Sequence, residues 1–183
     1  MIRQINRRQL LSAAALTAAS IVLPPPLVSW AAKSQHVPRS LSLHHKHTGE
    51  NLDIVYGDTD GYDREALTAI DHFLKDYRTG EVHSIDPQLL DILASLNHHF
   101  DSKKAIEITS GYRSPKTNQQ LRNRNRKVAK RSMHMEGKAV DIRMKGVRTR
   151  DLRQYALQIQ QGGVGYYPRS NFVHVDSGKV RSW

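Results

Sequence analysis

Two short segments of this chain each bring a histidine and an aspartate together. His134 and Asp141 stand seven positions apart, and the second segment is Phe172-Val173-His174-Val175-Asp176. Because side chains alternate along a strand, His174 and Asp176 are predicted to share one face. Two histidines and one carboxylate, with a fourth position left to water, form the ligand set of a catalytic zinc. Spacing alone also allows an ordinary surface pair of histidine and aspartate, so both interpretations stand at this point.

The chain contains no cysteine among its 183 residues. A disulfide, a thiolate zinc site and a cysteine nucleophile are therefore excluded, and a metal would have to be bound by histidine and carboxylate. The formal net charge is +11 at pH 7, and the stretch from 113 to 131 contains many cationic residues and no acid. Such a stretch indicates attraction to an anionic polymer, or a solvated face with no dedicated partner.

The first 31 residues have the pattern of an export signal. Arg7 and Arg8 precede an apolar run, Leu10 to Leu23, and a small-x-small cleavage sequence ends at Ala31. The run is shorter than the roughly twenty residues that span a bilayer. The paired arginines resemble a twin-arginine signal, with an ordinary secretory signal as the alternative, and both lead to the periplasm. The predicted organisation is a signal peptide at 1–31, a linker at 32–40 and one domain at 41–183.

Alternating residues from Leu41 to Tyr56 predict a β-hairpin around Thr48-Gly49-Glu50. His44, His45 and His47 lie near its tip, and we expect them to be solvent-exposed rather than ligands of a functional metal, because no carboxylate stands at ligand spacing.

Apolar residues at spacings of three and four predict three helices, and Asp86-Pro87 forms a good start for the second. Between and after these helices lie short alternating stretches that predict further strands. The helices are predicted at 67–77, 89–100 and 152–159, and the strands at 105–109, 138–144, 164–167 and 172–176. The predicted fold class is α+β, a small mainly antiparallel sheet with helices packed on one face and the site along the other.

The pattern Ser-x-His-x-x-Gly-x-Ala-x-Asp from Ser132 to Asp141, preceded by Ser110-Gly111-Tyr112-Arg113-Ser114, resembles the D-alanyl-D-alanine carboxypeptidase and dipeptidase family of zinc peptidases. The resemblance, which covers nearly the whole chain, implies the α+β fold of the M15-like and Hedgehog proteins. It further implies a zinc ion held by three residues and an arginine that stabilises the oxyanion of the scissile carbonyl. The implied ligands are His134, Asp141 and His174, and the implied oxyanion residue is Arg113.

The chain departs from the family pattern at the general base. Many relatives carry glutamate three residues before the last histidine, whereas this chain has Asn171, whose amide cannot accept the proton. Asp176 is the first substitute, because it is predicted to lie on the strand face of His174. Its alternative role is to orient that histidine through a hydrogen bond. Glu136 is a weaker candidate that is equally explained as a solvent-facing residue.

The resemblance implies a zinc-dependent murein endopeptidase that acts on peptidoglycan stem peptides as a monomer. The sequence leaves open which cross-link is cut, and Ser132 and Tyr167 are either stem-peptide contacts or structural residues. A non-catalytic cell-wall binding module with a structural metal is the alternative function. Nucleic-acid binding rests on charge alone, and the export signal argues against it, as it argues against a membrane partner once the signal is removed.

Overall fold

The computed structural model describes residues 37–101, 104–126 and 128–183. The predicted export signal at 1–31 and most of the predicted linker lie outside these ranges. Within them, no helix combines the length and the apolar character needed to cross a membrane.

One seven-stranded sheet organises the domain, with the strand order β2-β1-β3-β4-β6-β5-β7. Four of its six pairings are antiparallel, and β1 with β3 and β5 with β7 are parallel. The sheet is therefore mainly antiparallel, which confirms the predicted α+β class. The strands are β1 (Arg39–His45), β2 (Asn51–Gly57), β3 (Ile106–Ser110), β4 (Ala139–Met144), β5 (Gly163–Tyr167), β6 (Phe172–Asp176) and β7 (Arg181–Ser182).

In the described residues, four α-helices accompany the sheet, and three of them match the predicted apolar stripes. The second begins as predicted, with the Asp86 side chain accepting the backbone N–H of Gln88 and Pro87 at the first helical position. The third was not predicted from the sequence. The helices are α1 (Arg64–Phe73), α2 (Pro87–His99), α3 (Pro115–Arg124) and α4 (Thr149–Ile159).

The two faces of β4 and β6 have opposite roles. Val140, Ile142, Val173 and Val175 are fully or almost fully buried and belong to the apolar core that α2 and α4 complete. The intervening residues point to the other face, where Asp141 of β4 stands opposite His174 of β6. Period-two alternation thus separates the core from the polar site.

The histidines near the hairpin tip differ from the sequence prediction. His45 is completely buried, with its ring against the edges of Phe73 and Tyr77, so the expectation that it is exposed was wrong. His44 is half-buried and His47 exposed. The reason is strand alternation, since His45 follows Leu41 and Leu43 on the core face of β1. This strand also begins at Arg39, two residues before the predicted start.

Candidate metal centre

Three short elements bring His134, Asp141 and His174 together. His134 lies in a 3₁₀ helix, Met133–Glu136, whose first turn is capped by the Ser132 hydroxyl. Gly137 then turns the chain into β4 with φ at +67°, a left-handed conformation that suits glycine, and a Cβ there would strike the Ser84 carbonyl. Asp141 and His174 are paired residues on neighbouring strands.

The donor atoms of these three residues form a compact triangle. His134 Nε2 lies 3.2 Å from Asp141 Oδ1 and 3.1 Å from His174 Nδ1, and that Nδ1 lies 2.9 Å from Asp141 Oδ1. Tetrahedral zinc with bonds of about 2.0–2.1 Å requires ligand atoms roughly 3.3 Å apart. Within the described residues, this is the cluster of histidine and carboxylate side chains that can hold a metal ion. The donor set and its spacing fit zinc.

The partners of the two histidines fix a proton on the ring nitrogen of each that faces away from the cluster. His134 Nδ1 lies 2.8 Å from the Gly111 carbonyl, which can only accept, so Nδ1 carries the proton and Nε2 keeps its lone pair. His174 Nε2 lies 3.0 Å from Asp176 Oδ2 and donates to it, which leaves Nδ1 toward the cluster. Such fixed tautomers are typical of metal-binding histidines.

The electrostatics of the cluster favour the ligating protonation states at two of the three positions. Burial lowers the pKa of His134 to about 4. Burial alone would raise the pKa of Asp141, but the two histidines and Arg113 outweigh it and hold that pKa well below its ordinary value. Burial likewise favours neutral His174, but the hydrogen bonds to Asp141 and Asp176 outweigh it and raise the pKa of His174. Metal binding therefore has a proton to displace from His174.

Arg113 lies at the edge of the cluster, just beyond the end of β3. Its Nη2 donates to Asp141 Oδ2 at 2.5 Å, and its Nε donates to the Ser110 hydroxyl at 2.9 Å. The guanidinium thus binds the Asp141 oxygen that faces away from the histidines. Its side chain is 15% exposed, and it pairs with the carboxylate that also faces the two histidines.

Asp176 is buried behind the His174 ring rather than beside the metal-facing nitrogen. Its Oδ2 accepts from His174 and from Arg181 Nη2 at 2.7 Å, and its Oδ1 accepts from the backbone N–H groups of Gly163 and Gly178 and from Arg181 Nη1. Burial opposes ionisation, but His174 and Arg181 outweigh it and lower the pKa of Asp176. The carboxylate is ionised and fully engaged.

The remaining candidates lie in structural or solvent-facing positions. Asn171 is in the turn between β5 and β6 with φ at +53°, and its backbone carbonyl accepts from Arg143. Glu136 is exposed and pairs with Lys138 at 3.2 Å. Ser132 is buried and caps the 3₁₀ helix, whereas Tyr167 is 38% exposed.

Two residues near the cluster were not identified from the sequence. Arg181 binds Asp176, and the Trp183 ring lies 5.2 Å from the His174 ring, measured between centroids. The signal that could have found them is the pair Gly163 and Gly165, because alternate glycines in a strand indicate close approach by another part of the chain.

The fold and the buried His-Asp-His cluster together define an M15-type peptidase domain. A family model described as peptidoglycan L,D-endopeptidase MepK matches residues 33–183, and the chain belongs to this family.

The similar proteins carry the same description. The chain is 43% identical over 178 residues to peptidoglycan L,D-endopeptidase MepK of Escherichia coli K12, with 97% of both chains covered, and equally so to that of Shigella flexneri. It is 36% identical over 179 residues to the probable peptidoglycan L,D-endopeptidase MepK of Haemophilus influenzae, covering 97% of this chain and 95% of that protein. The family resemblance predicted from the motifs is confirmed.

Proposed function

We propose that this chain is a zinc-dependent peptidoglycan endopeptidase that hydrolyses L,D cross-links between stem peptides in the periplasm. The observation that carries the proposal is the buried triangle of His134 Nε2, Asp141 Oδ1 and His174 Nδ1, with both histidines held in the metal-binding tautomer. The description of the relatives as peptidoglycan L,D-endopeptidases supports the substrate class and the L,D linkage.

In this mechanism His134, Asp141 and His174 would hold the zinc ion. Bound zinc would polarise the scissile carbonyl and lower the pKa of a water molecule toward neutrality. Arg113 provides a permanent positive charge next to the cluster. As negative charge develops on the carbonyl oxygen, a guanidinium already fixed by Ser110 stabilises the transition state more than the ground state.

Asp176 serves as a positioning residue in this account. Its carboxylate holds the proton on His174 Nε2, so that Nδ1 presents a lone pair to the metal. The sequence first suggested Asp176 as the general base, with orientation of His174 as the alternative. The alternative is the role we propose, because the carboxylate lies against the ring nitrogen opposite the cluster and already accepts from five donors.

The basic stretch supports an anionic cell-wall polymer as the substrate. α3 follows Arg113 directly, starting from the Ser114 cap, and the cationic side chains in and after it are largely exposed. Their field attracts the carboxylates of stem peptides toward the adjacent metal cluster. The exposed members are Lys116, Arg124, Arg126, Lys130 and Arg131.

The proposal is tested by offering the purified protein two defined muropeptide dimers. In one, the L-centre carbonyl of diaminopimelate is joined to the D-centre amine of the second diaminopimelate. In the other, D-alanine is joined to that amine. We expect zinc-dependent cleavage of the first dimer only, identified by product masses, and none with His174→Ala. The exposed His72 provides a matched control, since His72→Ala should cleave normally.

Cleavage of the D-alanine-linked dimer alone would overturn the L,D assignment. Binding of both dimers without cleavage would instead favour the non-catalytic cell-wall module.

A further inference from the structure

Alternate glycines in β5 let residues from the C-terminal segment reach across that strand to the metal cluster. Gly165 is paired with His174 of β6. A Cβ at Gly165 would lie 2.7 Å from the nearest ring atom of Trp183, so the indole lies directly on the strand surface. The ring continues to His174, 5.2 Å away between centroids. The Trp183 indole is therefore the neighbour of a metal ligand.

Trp183 is held in place although the residue is 48% exposed. Its backbone N–H donates to the Val164 carbonyl, and its own carbonyl accepts from the Tyr166 N–H at 3.0 Å. The indole Nε1–H donates to the Tyr167 hydroxyl at 2.8 Å. An exposed aromatic ring that is already immobilised loses little conformational entropy when a ligand covers it.

Two further rings extend this surface. Tyr167 stacks on Phe172 with ring centroids 4.5 Å apart and planes inclined by 18°. Tyr167 is 38% exposed, and its hydroxyl oxygen accepts from Trp183. We call Trp183, Tyr167 and Phe172 the aromatic platform. It is an exposed apolar surface beside a buried polar cluster, a combination typical of ligand sites.

The distance from the platform to the cluster limits which part of a substrate can cover it. A peptide residue spans at most about 3.3–3.6 Å of extended chain. The Trp183 ring centroid lies 5.2 Å from that of His174. A substrate group that covers the platform therefore belongs to a residue within about two positions of the scissile bond. Under the proposed function, which this step requires, those residues are diaminopimelates with flexible methylene side chains.

Charge decides which part of that side chain fits. The Arg181 guanidinium lies 5.0 Å from the centroid of the Trp183 ring. A second cation on the same ring would be repelled by it, whereas a methylene chain gains from apolar burial.

We propose that the aromatic platform is a substrate subsite that binds the methylene side chain of the diaminopimelate flanking the scissile bond, with Trp183 as its specificity-determining residue.

Tryptophan fluorescence tests this directly, because the chain has only two tryptophans and the other is Trp30. In a Trp30→Phe background, Trp183 is the sole reporter. The probes are the disaccharide tripeptide that ends in diaminopimelate, and the disaccharide dipeptide that lacks it. Neither requires cleavage. We expect a saturable blue shift of the emission with the tripeptide and none with the dipeptide.

Variants measured by calorimetry give the contribution of the ring. Trp183→Ala should weaken tripeptide binding about tenfold, equivalent to about 1.4 kcal/mol. Trp183→Phe should recover most of the loss, because it restores an apolar ring without the indole N–H. Val55→Ala, which removes apolar surface that is 56% exposed on β2, serves as the control and should bind normally.

Each result bears on the subsite. An equal shift with the dipeptide, or no shift at saturating tripeptide, would overturn it, as would Trp183→Ala binding as tightly as the parent. If Trp183→Ala fails to fold, the test rests on the emission shift of the Trp30→Phe protein and on tripeptide binding by Trp183→Phe. Cleavage that is insensitive to Trp183 would refute the subsite and leave the endopeptidase intact. A tripeptide-specific shift without any zinc-dependent cleavage would support the subsite and refute the endopeptidase.

Discussion

Replacing Asp176 with asparagine tests the proposed role of Asp176 in orienting His174 for zinc. The Oδ2 atom of Asp176 accepts from His174 Nε2 at 3.0 Å, and its Oδ1 atom accepts from the N–H groups of Gly163 and Gly178 at 3.1 and 2.9 Å. Asparagine offers one acceptor oxygen and presents an NH₂ group at the other position. The variant therefore cannot satisfy both sets of donors.

Either orientation of the amide should weaken the proposed zinc binding. With its oxygen toward the glycines, the NH₂ faces His174 Nε2–H, and the ring relieves this contact by moving its proton to Nδ1. That nitrogen is the one that faces Asp141 Oδ1 at 2.9 Å and would bind the metal. With the amide reversed, the NH₂ faces the two backbone N–H groups, and the side chain must move away from the ring it orients.

Partners that orient a metal ligand are typically worth about 10–100-fold in metal affinity, or about 1.4–2.7 kcal/mol. We expect Asp176→Asn to raise the zinc dissociation constant by this factor, in competition with a chromophoric chelator at pH 7. Asp91 on α2 gives a matched control, because its carboxylate also binds an arginine, Arg39 at 3.0 Å. Asp91→Asn should lower thermal stability but not zinc affinity. Unchanged zinc affinity in Asp176→Asn would refute the reasoning.

Three further predictions concern the same cluster. Because zinc must displace a proton from His174, whose pKa is raised, the zinc affinity should increase roughly tenfold for each unit by which the pH rises toward that pKa, and it should level off above it. A zinc affinity that does not change with pH would contradict this. Arg113→Lys should lower turnover about 100-fold with zinc content unchanged, since the smaller cation cannot both bind Asp141 and reach the oxyanion; normal turnover would remove Arg113 from that role. Gly163→Ala should weaken zinc binding, because the added Cβ would collide with the Asp176 carboxylate. A zinc affinity equal to that of the unsubstituted protein would contradict this and would show that β5 can shift to make room for the Cβ.

Two of the candidate ligands, Asp141 and His174, were predictable because they lie on strongly patterned strands. The alternation in β6 put His174 and Asp176 on one face, and the structure places both there, with His174 opposite Asp141. The hydrogen-bond partner of each ring nitrogen was not predictable. It depends on contacts between distant segments, such as His134 with the Gly111 carbonyl.

The missed elements lack the signals that pattern analysis uses. α3 has no apolar stripe, and its buried residues are the polar Thr117 and Asn118, so its main sequence signal was the Ser114-Pro115 start. β7 is two residues long, too short for alternation to appear. The burial of His45, by contrast, followed from the alternation of β1 and was available from the sequence.

The central claim, that the His134-Asp141-His174 cluster is a catalytic zinc site acting on peptidoglycan, is tested most directly on intact sacculi. The purified protein would be stripped with a chelator, shown to remain folded by circular dichroism, and reloaded with zinc to measured stoichiometry. The account predicts that the loss of L,D cross-links from the sacculi, measured by muropeptide masses, stops on stripping and returns in proportion to bound zinc, up to one ion per chain. Loss of L,D cross-links that continues without zinc, or that fails to return when one ion is bound, would contradict it.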